Sequence, residues 1–144
     1  MLNTLPNVRE FYFPFFTLIL WQTIIVGSML VRRITAVSKK EVSPKFFKTY
    51  HDTTGVPLGL LAHANNYNNL FQIPTSFFLL CLFMLMLGIQ DAWALPITWL
   101  FVVSRIVHSL IHISSNKIAL RSGSFTIGIA LMLLLALRIL IQIY

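Results

Sequence analysis

Amide side chains recur in one short stretch of the chain, "LAHANNYNNLFQIP" at positions 61–74. At about 100° per residue, four of them fall on one face of a helix, while Asn66 and Tyr67 are predicted to point elsewhere. Such a stripe either hydrogen-bonds neighbouring helices, as amides do in membranes, or lines a polar ligand pocket. The spacing leaves both interpretations open. The four amides of the stripe are Asn65, Asn68, Asn69 and Gln72.

A second polar set lies in "WLFVVSRIVHSLIHI" at positions 99–113. Arg105, His108 and His112 follow an i, i+3, i+7 spacing and share one helical face. Because an arginine at the bilayer centre costs at least about 2.5–3.5 kcal/mol, Arg105 is predicted to face the bundle or a water-filled cavity. Two histidines four residues apart can bind a metal, but no Glu or Cys completes the set. We therefore expect hydrogen-bonding histidines and no metal.

The third candidate is "RSGS", which runs from Arg121 to Ser124. It comes directly before an apolar stretch and admits two interpretations. It is either a loop arginine followed by a serine that caps a helix, or an anion-recognition element. In the second case Arg121 lies beside the free N–H groups of a helix start, which attract negative charge.

The elements that must position these residues are membrane helices. The 144 residues have a mean hydropathy of +0.79 and are only 10% charged, whereas soluble domains are about 25% charged. Four apolar stretches reach or approach the roughly 20 residues that cross a bilayer as a helix. The sequence predicts one all-α membrane domain over 1–144. Its predicted spans are 11–31, 57–88, 94–113 and 125–143.

The net charge of +7 is concentrated in two predicted loops. Short loops rich in Lys and Arg remain cytoplasmic, so both loops are predicted to be cytoplasmic and both termini to lie on the opposite side. Anionic lipid headgroups, rather than nucleic acid, are the expected partner of this charge. The first loop carries Arg32, Arg33, Lys39, Lys40, Lys45 and Lys48, and the second carries Lys117 and Arg121. The opposite side carries Arg9, Glu10, Asp91 and Arg138.

All three candidate sets lie towards the basic side of this topology. The amides come from the second span, Arg105 and His108 from the third, and Arg121 with Ser122 from the fourth. Arg32 or Arg33 adds a cation at the end of the first span. The pattern predicts one polar zone that suits a small anionic, peptide-like molecule.

With these motifs the sequence resembles the MAPEG family, the membrane-associated proteins in eicosanoid and glutathione metabolism. The resemblance is densest in "AHANNYNNLFQIP", "WLFVVSRIVHSLIHI" and "NKIALRSGSF", and it is closest to short bacterial members. It implies a four-helix bundle assembled as a homotrimer in the bacterial inner membrane. It also implies glutathione bound between subunits near the cytoplasmic side. The family's enzymes conjugate glutathione to lipophilic electrophiles, reduce lipid hydroperoxides or isomerise prostaglandin precursors.

Several site residues carry over from this resemblance. Asn65 matches the family's glutathione-binding asparagine, and Arg121 and Ser122 match the pair associated with activating the glutathione thiol. Arg105 and His108 match the arginine and histidine typical of the third span. Arg32 or Arg33 matches the basic end of the first.

The chain also departs from the family pattern. Asn68 replaces the glutamate that receives the ligand's amino group, and Gln72 replaces a second acid of bacterial members. An amide can hydrogen-bond an amine, but without charge-assisted strength. Leu61 and Ala64 stand where the best-known glutathione enzymes have arginines, and His112 and Phe125 where they often have tyrosine.

Two functions therefore remain open. One is an enzyme in which Arg121, helped by Ser122, activates glutathione or a related thiol against a small lipophilic substrate from the bilayer. The other is a non-catalytic trimer that binds lipid or serves as an interaction subunit in the membrane. In the second, the amide stripe joins helices and Arg105 is a structural partner of carbonyl groups.

Overall fold

Four long helices and one short helix account for most of the chain in the computed structural model. It describes residues 8–49, 52–89 and 91–143, with side chains from residue 10, and these ranges contain no strand. The four long helices are each long and apolar enough to cross a membrane. The predicted all-α membrane four-helix bundle is confirmed. The helices are α1 (Val8–Ser38), α2 (Phe46–Thr49), α3 (Leu58–Met86), α4 (Ala94–Ile113) and α5 (Ile118–Ile143).

The helix boundaries differ from the predicted loops at the basic end. Helix α1 continues past Arg32 and Arg33 to Ser38. Helix α5 begins at Ile118, and the N–H of Arg121 already donates to the carbonyl of Lys117 at 3.0 Å. The prediction that "RSGS" is a loop with a capping serine is therefore wrong. The good helix formers Ala119 and Leu120 extend α5 backwards, so that Arg121 lies within its first turns.

Helix α4 lies at the centre and packs against α1, α3 and α5. Its Phe101 stacks on Phe77 of α3, with ring centroids 4.0 Å apart and planes 12° from parallel. Both rings are fully buried, as is Cys81 one turn further along α3. Many large apolar side chains point outward, for example Leu79 and Leu100, as expected for helices that face lipid.

An ion pair closes the end of the bundle opposite the basic connections. Arg138 of α5 donates from Nε to Asp91 Oδ2 at 2.6 Å and from Nη2 to Asp91 Oδ1 at 2.9 Å. The N–H of Trp93 also donates to Asp91 Oδ1, at 2.8 Å. Arg138 therefore binds the turn before α4. Hydrogen bonds from Arg138 hold the pKa of Asp91 below its ordinary value.

The two basic connections lie together at the other end. Helix α3 brings Asn69 next to His112, near the end of α4, and α4 brings His108 to the backbone of Arg121. The α1–α3 connection is ordered by a small apolar cluster in which Val42 and Leu60 are buried against Phe46 and Phe47. The basic end is thus a distinct, structured region of the bundle.

Candidate functional site

A polar cleft of about 260 Å³ opens at the basic end. We call it the Arg121 cleft. Its charged group is Arg121, and Ser122 provides a neighbouring hydroxyl on the same helix. Helix α5 contributes most of the wall. Because this helix starts at Ile118, Arg121 and Ser122 lie within it rather than in the preceding turn. The cleft is lined by Asn69, His108, Arg121, Ser122, Phe125 and Thr126.

Asn116 positions the Arg121 side chain. The guanidinium donates from Nη1 to Asn116 Oδ1 at 2.8 Å. Asn116 has a φ of +49°, a left-handed conformation that asparagine adopts more readily than most residues. Sequence reasoning missed this contact, although an asparagine in a short turn before a helix is a signal for such a conformation.

His108 presents a buried ring nitrogen with no partner. Its Nδ1 lies 3.0 Å from the carbonyl oxygen of Arg121 and 3.3 Å from Ser124 Oγ. Since a carbonyl only accepts, Nδ1 carries the proton and Nε2 is an acceptor. Nε2 is buried and has no hydrogen-bond partner among the residues that the structure describes. A buried unpaired acceptor beside a cleft is the kind of group that a ligand donor satisfies.

A second cleft, of about 440 Å³, lies between α3 and the α1–α3 connection. We call it the Arg33 cleft, after its one charged residue. It brings two amides of the stripe, Asn65 and Asn68, together with Arg33. Arg32 is exposed beside Gly59 and lines neither cleft. The lining consists of Arg33, Phe46, Thr53, Leu61, Ala64, Asn65, Tyr67 and Asn68.

The amide stripe is divided between the two clefts. Asn65 and Asn68 line the Arg33 cleft, whereas Asn69 lines the Arg121 cleft and lies 3.4 Å from His112 Nε2. Gln72 is exposed and lines neither. Within one chain, the predicted single polar zone is therefore two clefts that share no lining residue.

The amide that joins helices is Asn66, which lies off the stripe. It is fully buried and donates from Nδ2 to Ser109 Oγ of α4 at 2.7 Å. Gln22 similarly links α1 to α3 by donating to the carbonyl of Leu70 at 2.9 Å. Sequence reasoning missed both contacts, because helical periodicity identifies a face but not the neighbour that the face meets.

Arg105 lines neither cleft. It is 1% exposed and donates from Nη2 to the carbonyls of Ser124 at 2.8 Å and Phe125 at 3.0 Å. Its guanidinium also lies 5.3 Å from the centre of the Phe125 ring. A Cβ on Gly128 would overlap this guanidinium, so the glycine provides the space that Arg105 occupies. The prediction that Arg105 faces the bundle is confirmed, and its contacts join α4 to α5.

Two further features bear on chemistry. In residues 8–49, 52–89 and 91–143, no three His, Cys, Asp or Glu side chains are grouped as metal ligands. An apolar groove of about 590 Å³ lies between α3 and α5, with Leu79, Phe83 and Met132 among its lining residues. The groove lies deeper along both helices than the Arg121 cleft and has the character of a binding surface for hydrocarbon.

The chain matches the sequence model of a known protein family. The sequence model of the MAPEG family matches residues 11–141. No curated protein and no solved structure matches the chain.

Proposed function

The chain belongs to the MAPEG family, and we propose that it is a membrane-bound transferase or peroxidase that uses glutathione or a related thiol. Its second substrate is a lipophilic electrophile or a lipid hydroperoxide. One observation carries the proposal: Arg121 and Ser122 line a single polar cleft beside the unpaired Nε2 of the buried His108.

The residues of the Arg121 cleft suit thiol activation. The positive charge of Arg121 favours a thiolate over a thiol, and the Ser122 hydroxyl can donate a hydrogen bond to the sulfur. The nucleophile of the reaction is the thiolate, which forms when the thiol loses its proton. His108 Nε2 accepts a hydrogen bond from the bound thiol compound, and Asn69 adds an amide to the same wall.

The complete site is proposed to form between copies of the chain. The Arg121 cleft and the Arg33 cleft share no lining residue within one chain, and a site between neighbouring subunits would bring an Arg33 cleft beside an Arg121 cleft. Membership of the MAPEG family supports a homotrimer in which the Arg33 cleft of one copy meets the Arg121 cleft of the next. Arg33, Asn65 and Asn68 then supply the guanidinium and amide groups that bind carboxylates and peptide groups.

The membrane arrangement follows from the charge distribution. Both basic connections lie at the end of the bundle that carries the two clefts, so we place this end at the cytoplasmic face of a bacterial inner membrane, with both termini opposite. Anionic lipids are the expected neighbours of the basic end. The apolar groove between α3 and α5 provides a surface for the hydrocarbon part of a substrate arriving from the bilayer.

Turnover of the purified protein tests this proposal. The parent is expected to conjugate glutathione to an aryl halide or to reduce an organic hydroperoxide. Arg121→Ala should lower kcat/KM on the order of 100-fold, the usual effect of removing a group that stabilises developing negative charge. Lys117→Ala is the matched control, because Lys117 is an exposed cation just before α5 that lines neither cleft. Equal turnover by the Arg121 variant and the parent would remove Arg121 from the mechanism.

The second candidate is a non-catalytic trimer that binds lipid or serves as an interaction subunit. The observation that favours it is Arg105, whose hydrogen bonds are made to α5 carbonyls rather than across a cleft. This candidate predicts that anionic lipid raises the melting temperature, whereas millimolar glutathione changes neither the melting temperature nor the tryptophan fluorescence. The enzyme proposal predicts a glutathione-dependent change in both.

A further inference from the structure

The two clefts contain positive charge and no negative charge. The whole chain has four acidic residues, and the structure describes all of them. None lines the Arg121 cleft or the Arg33 cleft. An assembly of several copies contains only further copies of these four carboxylates. The four acids are Glu10, Glu41, Asp52 and Asp91.

Two of these acids lie far from the clefts. Asp91 binds Arg138 at the opposite end of the bundle. Glu10 is in the first turn of α1, about 33 Å along the helix axis from Arg32 at 1.5 Å per residue. Neither carboxylate can contact a small ligand held at the basic end.

The other two acids lie in the α1–α3 connection but face a different surface. Glu41 and Asp52 line a neighbouring cleft, whose lining has only Phe46 in common with that of the Arg33 cleft. Asp52 Oδ1 accepts a hydrogen bond from the N–H of Thr54 at 2.9 Å. The polar groups offered to a ligand are therefore guanidinium, amide, hydroxyl and imidazole groups.

A ligand ammonium would be poorly accommodated by these groups. An amide or hydroxyl oxygen can accept its hydrogen bonds, but it does not supply the opposite formal charge that a carboxylate brings to an ammonium. Arg33 and Arg121 also repel a second positive charge nearby. The same guanidiniums attract carboxylates, so ligand anions are favoured.

We infer that the thiol used by this protein is an anionic compound that carries no free ammonium group. The inference rests on the proposed function, since it specifies the thiol that the same two clefts receive. Suitable compounds are a mercapto acid or a peptide thiol whose amino group is absent or acylated. A zwitterionic peptide such as glutathione is expected to bind less tightly.

A matched pair of probes tests this inference. Glutathione and glutaryl-cysteinylglycine differ only in the ammonium group, which the second compound lacks. Isothermal titration of the purified protein in nanodiscs should give a Kd about tenfold lower for glutaryl-cysteinylglycine than for glutathione. A tenfold change in Kd corresponds to about 1.4 kcal/mol of binding free energy. N-acetylglutathione, in which the amine is acylated, should resemble the glutaryl compound.

Introducing a carboxylate should reverse this preference. Asn68 is exposed within the Arg33 cleft, so Asn68→Glu adds an acid without disturbing the packed interior. The variant is expected to bind glutathione more tightly than glutaryl-cysteinylglycine. Ser38→Glu adds the same charge at the exposed end of α1, outside both clefts, and should keep the parental preference.

The outcomes separate the inference from the proposed function. Equal or tighter binding of glutathione by the parent would overturn the inference and leave a glutathione enzyme in place. If none of the three thiols binds, the proposed function fails and the inference fails with it. If Ser38→Glu reverses the preference as strongly as Asn68→Glu, net charge rather than the cleft sets the selectivity, and the inference is again overturned.

Discussion

The two ends of this bundle are built from the same four helices but in different ways. At the end opposite the basic connections, Phe77 stacks on Phe101 within a closed apolar core, and Asp91 and Arg138 tie the α3–α4 turn to α5. At the basic end, hydrogen-bonding side chains replace much of this core and polar clefts open to the surface. Packing dominates one end and polar recognition the other.

Buried polar contacts also lie at the basic end. Asn66 with Ser109, and Arg105 with the α5 carbonyls, join the helices beside the clefts. Asn66 and Arg105 are almost completely buried, whereas Arg121 and Ser122 line an open surface. Polar residues in one membrane bundle therefore serve two purposes, and their neighbouring contacts distinguish the two. We expect that stability and ligand binding can be altered separately.

The largest stability effect is expected in the apolar core. Phe77→Ala should lower the free energy of unfolding by about 3–5 kcal/mol, because it removes a fully buried ring and leaves a cavity. Asn65→Ala, at an exposed position of the Arg33 cleft, should change it by less than about 0.5 kcal/mol. Reversible unfolding in mixed micelles measures both. A comparable loss in the two variants would contradict the division between the ends.

A smaller effect is expected where Arg105 meets α5. Gly128→Ala should destabilise the fold by about 1–3 kcal/mol, as overpacking does, because the added Cβ overlaps the guanidinium. Gly123→Ala is the matched control on the same helix, with nothing within 4 Å of the new Cβ. The control should be neutral or stabilising, since alanine favours a helix. Equal stability of the two variants would show that Gly128 does not provide space for Arg105.

The smallest effect is expected at the closing ion pair. Asp91→Asn should cost at most about 1 kcal/mol at neutral pH, because Arg138 is partly exposed and solvent screens the pair. The folded-state pKa of Asp91 is lowered, so its contribution is fully present above the unfolded pKa of about 3.9. That contribution is lost as the pH falls through the lower folded-state value. As the pH is lowered from 6, the free energy of unfolding should therefore fall less in the variant than in the parent. Identical pH profiles of the unfolding free energy in the two proteins would contradict this role of Asp91.

The sequence predicted the helices better than it predicted their contacts. Apolar stretches long enough to cross a bilayer identified all four long helices, because length and hydropathy determine that property directly. The predicted start of α5 lies several residues after its actual start at Ile118. "SSNK" and "RSGS" are both polar, but only "SSNK" forms the turn between the helices. Hydropathy does not separate a turn from the polar first turns of a helix.

The sequence predicted the types of residue in the candidate site, but not that these residues are divided between two clefts. The spacing predicted Asn65 and Asn68 on a common helical face, and both line the Arg33 cleft. It did not reveal that Asn69 belongs with Arg121, nor that Arg105 is enclosed by α5. Those features depend on how the helices rotate and approach one another, which the spacing within a single helix does not determine.

The thiolate content of the bound thiol tests the central claim most directly. A free thiol has a pKa of about 8.5 and is mostly protonated at neutral pH. Ultraviolet thiolate absorption should therefore appear when glutathione or glutaryl-cysteinylglycine saturates the parent at neutral pH, and it should be lost in a saturated Arg121→Ala variant. Binding without thiolate absorption in the parent, or equal absorption in the variant, would contradict thiol activation by Arg121.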